Sequence, residues 1–134
     1  MAHNGERIID HIGLTVSDLA RAKAFYVKAL APLGIGVALV IPKSVTGDKD
    51  IIGIGKHHKG ELWLSQNGRQ TPPTHIAFLA ASRAEVDAFY AAALAAGGKD
   101  NGPPGIRAHY HPDYYGAFVL DPDGHNIESV CHKA

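Results

Sequence analysis

Two periods alternate along this chain. Residues 7–16 change character every second position, with Ile8, Asp10, Ile12 and Leu14 on one side and Ile9, His11, Gly13 and Thr15 on the other, the pattern of a β-strand. Beyond Ser17 and Asp18, both good N-caps, Leu19, Ala22, Tyr26, Ala29 and Leu33 fall at helical spacing, and Pro32 with Gly34 ends that helix. Three strand-like stretches follow at 36–41, 51–54 and 61–65, separated by a polar loop at 43–50 and a turn at 56–60. Residues 66–73 are polar, contain Gly68 and Pro72-Pro73, and read as a joint. A strand then starts at Thr74, and a helix opens on Ser82 with Glu85 as a capping box and closes at Gly97-Gly98. A Gly/Pro loop at 101–105, a short strand at 106–111, a stronger one at 115–120, a tight Asp121-Pro122-Asp123-Gly124 turn and a last strand at 126–131 complete the order. Residues 1–6 are polar and read as a loose lead-in.

The second half copies the first at a constant offset of 64 positions: His11/His75, Ile12/Ile76, Phe25/Phe89, Tyr26/Tyr90, Ala29/Ala93 and Leu30/Leu94 all pair. Alanine matches carry little weight in so alanine-rich a chain, but the His-Ile and Phe-Tyr pairs do. Each half is one βαβββ unit. The pattern predicts an α+β fold: a single domain over 1–134 built from two βαβββ modules, about 7–66 and 74–131, that form a cup-shaped curved mixed sheet with the helices on the outside.

Composition narrows the function more than the fold. At 134 residues, 46% hydrophobic and 19% charged, the chain matches an ordinary one-domain globular protein. Thirteen basic and thirteen acidic residues cancel, so no basic field points to nucleic acid or to an anionic membrane. No apolar run approaches the ~20 residues needed to cross a bilayer. The lone Cys131 excludes an internal disulfide and, with no apolar amino-terminal signal segment, makes a reducing cytoplasm the expected location. Nine histidines is the one unusual count, and histidine is the commonest side-chain metal ligand.

Symmetry suggests where those histidines act. The helix of each module must cover one face of its sheet, leaving the other to line a cup. An approximate two-fold brings His11 and His75 together from equivalent first strands, and Glu128 on the last strand supplies a carboxylate. Two histidines and one carboxylate leave coordination positions open to water and substrate, which suits a catalytic rather than a closed structural metal site. In 107–115 the histidines His109 and His111 alternate onto one strand face with Arg107; lining the cup, they would supply an acid–base group and an anion contact, with Tyr115 as a further pocket residue. His57 and His58 read as exposed turn residues.

The stretches Asp10-His11-Ile12 with Phe25-Tyr26, His75-Ile76-Ala77-Phe78, and Phe118 through Glu128 resemble the vicinal oxygen chelate superfamily, the glyoxalase / bleomycin-resistance / extradiol dioxygenase group. The resemblance runs from about Ile8 to Val130. It implies His11, His75 and Glu128 as ligands of a divalent metal ion (Fe, Mn, Ni, Zn or Mg), a small oxygenated substrate chelated to it, and a homodimer. Its implied reactions are isomerase, lyase, transferase or dioxygenase chemistry; the alternative it implies is a metal-free, drug-sequestering protein of the bleomycin-resistance type. One departure stands out. Glyoxalase I relatives supply a fourth ligand, a glutamate, from the first module's last strand. Setting Leu62 opposite Ile127 puts Trp63 in the slot that Glu128 fills in the second copy, with Glu61 two residues toward the rim as a solvated strand-end charge. The expectation is therefore a three-ligand site with Trp63 as an apolar pocket wall.

Overall fold

The computed structural model describes residues 8–134. The lead-in expected to be loose, and the start of the expected first strand at Arg7, lie outside the described residues. The element order is β1 (Ile12–Thr15), α1 (Leu19–Leu30), a 3-10 turn (Ala31–Leu33), β2 (Gly36–Ile41), α2 (Lys43–Thr46), β3 (Ile51–Gly55) and β4 (Leu62–Ser65) in the first module. The second contains β5 (His75–Leu79), α3 (Arg83–Ala95), β6 (Lys99–Ile106), β7 (Tyr115–Leu120) and β8 (Asn126–Cys131). Each module is a four-stranded mixed sheet, ordered β1-β4-β3-β2 and β5-β8-β7-β6, with the first strand parallel to the last. The α+β, two-module architecture matches the repeat. Hydrogen bonding joins the strands as two sheets rather than one. No helix among the described residues is long and apolar enough to cross a membrane.

The helix starts follow from their caps. Asp18 accepts from the Arg21 amide, and Ser82 from that of Glu85; the Glu85 carboxylate turns back to the Ala81 amide, one residue before the cap. Phe25, Tyr26, Ala29 and Leu30 of α1 and Val86, Phe89 and Ala93 of α3 are buried, and the two helices pack on each other. The inward residues of the strands, including Leu14, Leu62, Leu64, Val119 and Ile127, complete one continuous core.

The strand expected at 106–111 and the loop expected at 101–105 are exchanged. Pro103, Pro104 and two glycines lie inside β6, while 107–114 is a turn. β6 is an edge strand paired only with β7, so a proline's missing N–H breaks no ladder on its open side, and two register shifts around Gly102 absorb the rest. The loop at 43–50 also contains the single turn of α2.

Buried carboxylates hold the modules together. Tyr26 of α1 donates to Asp121 Oδ2 at 2.5 Å, and Asp121 Oδ1 accepts from the Asp123 and His125 amides. Asp123 accepts from the Ser17 amide at 2.9 Å and from the Ser17 hydroxyl at 2.5 Å, with Arg21 at 3.4 Å. Burial and the nearby Asp121 charge push the Tyr26 phenol well up, so it stays a donor. Burial alone would raise the Asp123 carboxyl, but the Ser17 bonds and the Arg21 charge outweigh it and hold it below 3.8.

Tyr26→Phe removes a charge-assisted bond from a buried acceptor and should destabilise the fold by about 2 kcal/mol in urea unfolding. The equivalent Tyr90→Phe, whose hydroxyl meets Asp100 at 3.0 Å in an exposed setting, should cost less than about 0.5 kcal/mol. Because the folded Asp123 carboxyl titrates below its unfolded value, its stabilisation is complete above 3.8 and is lost as pH falls through the lower folded value. Acid unfolding of Asp123→Asn should accordingly show a shallower loss of stability below pH 3.8 than the unsubstituted protein.

Candidate metal centre and cup

The second module builds the more complete half of the site. His75 begins β5, and alternation leaves His75, Ala77 and Leu79 exposed on one face while Ile76 and Phe78 pack against the core. The β5–β8 and β7–β8 registers set Ala77, Glu128 and Phe118 in one row across that face. Glu128 is only 1% exposed. Its Oε1 lies 2.8 Å from His75 Nε2, and its Oε2 accepts from the Tyr114 hydroxyl. Gly116 leaves the space for this: a Cβ there would stand 3.3 Å from both Glu128 Oε2 and the Tyr114 ring. Burial, together with the bond to Glu128 and its charge, pushes the Tyr114 phenol up, so the proton stays on tyrosine. The Phe118 ring centre is 6.1 Å from that of His75, and the half-buried Arg107 guanidinium sits 5.3 Å over Phe118 while donating to the Pro103 carbonyl.

The first module presents the matching row, and it is built differently. Gly13 pairs with Trp63, and Trp63 with Gly53. Trp63 therefore occupies the slot that Glu128 fills beside Ala77, as the repeat implied. The indole lies over two glycines, where a Cβ on Gly53 would come within 2.8 Å of the ring and one on Gly60 within 2.5 Å. A cavity of about 700 Å³ opens beside it, lined by Asp10, His11, Ile41, Lys59 and Trp63 among others. His11 Nδ1 is 2.7 Å from Asp10 Oδ2, and Lys59 Nζ donates to Asp10 Oδ1 at 2.8 Å. The bonds from Lys59 and then His11 hold the Asp10 carboxyl down at about 2. Glu61 lies at the rim of a smaller cleft shared with Lys56, its backbone bonded to Ile12 and Ile54.

The expected ligands are thus brought together in part. His75 and Glu128 are in contact, whereas His11 is engaged with Asp10, and among the described residues no group of three or more His, Cys, Asp or Glu is arranged to hold a metal ion. His109 and His111 are not alternate residues of a strand, because 107–114 turns. The His109 ring packs at a tilt against that of Tyr110, with centroids 4.2 Å apart, and His111 Nε2 bonds His132 at 2.8 Å. Tyr115, expected in the pocket, bonds Asp87 of α3 and lies under Arg83 on the helix side. Its neighbour Tyr114 is the tyrosine at the site. The strand begins at Tyr115 as expected, and its alternation, which sets Gly116 and Phe118 on the Glu128 side, was the signal that points to Tyr114 rather than Tyr115. The donor set itself suits a divalent ion: an imidazole nitrogen and a carboxylate oxygen already converge, and Glu128 is a buried carboxylate with few other partners.

Trp63 is the chain's one tryptophan, so its emission reports the indole directly. Gly53→Ala drives a methyl into the ring and should shift the fluorescence maximum and alter the near-ultraviolet circular dichroism. Spectra identical to those of the unsubstituted protein would mean that the indole does not rest on Gly53.

Comparison with known proteins agrees with the fold. Among curated proteins no match is found. Among solved structures, a glyoxalase/bleomycin resistance protein from Albidiferax ferrireducens is 32% identical, with 93% of this chain and 98% of that one covered and a TM-score of 0.72. A glyoxalase I mutant from Zea mays is 25% identical over 91% of this chain and 46% of its own, with a TM-score of 0.69. A glyoxalase-related enzyme from Fulvimarina pelagi, 20% identical over 94% of this chain and 88% of its own at a TM-score of 0.66, shares the fold. The profile of the Glyoxalase/Bleomycin resistance protein/Dioxygenase superfamily matches residues 8–129, and the chain belongs to that superfamily.

Proposed function

We propose that this protein is a divalent-metal-dependent enzyme of the glyoxalase/dioxygenase type, acting on a small oxygenated molecule whose adjacent oxygens chelate the metal. The observation that carries this reading is the 2.8 Å contact of His75 Nε2 with Glu128 Oε1 beside Tyr114 and Phe118. Superfamily members usually depend on a metal, act on small molecules and often form dimers. His75, Glu128 and His11 would hold the ion, as two imidazoles and one carboxylate. Lewis-acid stabilisation of negative charge on a substrate oxygen is what such an ion supplies. The chain's own groups do the rest. Tyr114 holds Glu128 Oε2 and thereby turns Oε1 toward His75. Arg107 offers a half-buried cation to an anionic part of the substrate, and Phe118 and Trp63 exclude water.

The third ligand comes, on this reading, from a second copy of the chain. His11 just before β1, Gly13 of β1, and His75, Ala77 and Leu79 of β5 all face solvent in the single chain, and His11 forms no metal-holding group with the His75–Glu128 pair. A two-fold dimer contributes each residue twice and would complete two sites. A specific observation also favours a second reading, a metal-free binder: the flat Trp63 face beside a cavity of about 700 Å³ would accept an aromatic ligand by stacking.

Metal analysis decides between them. Purified protein should take up Ni(II), Mn(II), Fe(II) or Zn(II) stoichiometrically, and His11→Ala and His75→Ala should each lose that capacity. Mixing the two variants should restore about a quarter of it, because half of randomly reassorted dimers are mixed and each holds one intact site. No recovery on mixing would place all three ligands within one chain. A protein that binds none of these ions while aromatic compounds quench Trp63 would support the binder instead.

A further inference from the structure

The contacts around His11 specify more than its position. Asp10 Oδ2 meets His11 Nδ1 at 2.7 Å, and the other oxygen of the same carboxylate accepts from Lys59 Nζ at 2.8 Å. An ionised carboxylate only accepts, so the proton of a neutral His11 must sit on Nδ1, which leaves the Nε2 lone pair free and pointing away from Asp10. Side-chain exposures of 56% for His11 and 74% for Asp10 show that packing does little to fix either group. The hydrogen bonds set the ring.

Lys59 reaches Asp10 from the turn between β3 and β4, and that turn is closely constrained. His57 and His58 are consecutive non-glycine residues in the left-handed region, at φ 53° and 62°. The Lys59 carbonyl oxygen occupies the space that a Cβ on Gly55 would need. At the other end Gly60 lies under the Trp63 indole. One strained five-residue turn therefore seats the pocket's tryptophan and carries the lysine that holds Asp10.

We infer that Lys59 and Asp10 are positioning residues for His11: they fix its Nδ1–H tautomer and present Nε2 as a metal-ready donor. The tautomer stands on the geometry alone; its use in holding a metal rests on the function proposed above. An exposed ion pair contributes little to stability, but two contacts on one carboxylate need bias only a single ring between two tautomers of similar energy.

Histidine nitrogen shifts in metal-free, isotope-labelled protein test this directly, above the pH at which histidine titrates. His11 should show the Nδ1–H form. Asp10→Ala and Lys59→Ala should both move it toward Nε2–H, and Lys59→Arg should restore it. Ni(II) binding by Asp10→Ala should weaken about 10- to 100-fold while the fold, read by circular dichroism, is unchanged. A native Nε2–H form, or a tautomer indifferent to either alanine substitution, overturns the inference. A native Nδ1–H form that is lost in Asp10→Ala, in a protein that binds none of Ni(II), Mn(II), Fe(II) and Zn(II), upholds the inference and removes the metal reading instead.

Discussion

The bond from Tyr26 to Asp121 is the constraint on which the site's geometry depends. It is buried at both ends, and it links the first module's helix to the turn that launches the second module's last strand. Asp121 also gathers the amides of Asp123 and His125, so one carboxylate fixes the turn internally and anchors it externally. β8 leaves that turn at Asn126, and two residues later comes Glu128. A carboxylate at 1% exposure is expensive to hold in a packed interior, and is kept there only by well-placed donors. His75 and Tyr114 meet it from two different elements, so the register of β8 must be right to within a residue. The joint that sets this register is formed by Ser17 and Tyr26, which belong to the other half of the chain.

The duplication is used asymmetrically. Both modules place a small residue on the first strand beside the central residue of the last: Gly13 beside Trp63, Ala77 beside Glu128. The next strand differs in a compensating way. Gly53 stands opposite Trp63 and clears room for an indole, whereas Phe118 stands opposite Glu128 and covers a carboxylate. An acid in place of Trp63 would leave the space over Gly53 and Gly60 unfilled. A tryptophan in place of Glu128 would collide with Phe118 and leave Tyr114 without its acceptor. Each module's glycines commit it to its own central residue, so the missing fourth acid belongs to a remodelled wall rather than to one substituted side chain.

Much of this was legible in the sequence because it rests on local rules. The strands at 36–41, 115–120 and 126–131, both helix caps and the equivalence of Trp63 with Glu128 follow from alternation, capping chemistry and a fixed repeat offset. What was not legible depends on neighbours. Pro103 and Pro104 read as a loop because proline is excluded from a paired strand; only knowing that β6 is an edge makes them acceptable. That misplacement put His109 and His111 on a strand face where the structure has a turn, while Tyr115, expected in the pocket, lies on the helix side by the alternation of β7. Asp10 was visible only as part of a motif, because its role depends on Lys59, which lies 49 residues away and is brought back by a left-handed turn that histidine rarely adopts.

A ligand set divided between two copies of the chain, as proposed, would have a thermodynamic consequence. Were His11 supplied by one copy and His75 with Glu128 by another, metal binding and association would be linked, and each would strengthen the other by the same factor. The cleft that His11, Ala77 and Leu79 line also exposes Ile9 and Ile12, apolar surface whose burial would itself favour association. The buried joint at Asp121 and Asp123, by contrast, is complete without a metal or a second copy. The fold can therefore form and hold Glu128 in place without a metal or a second copy.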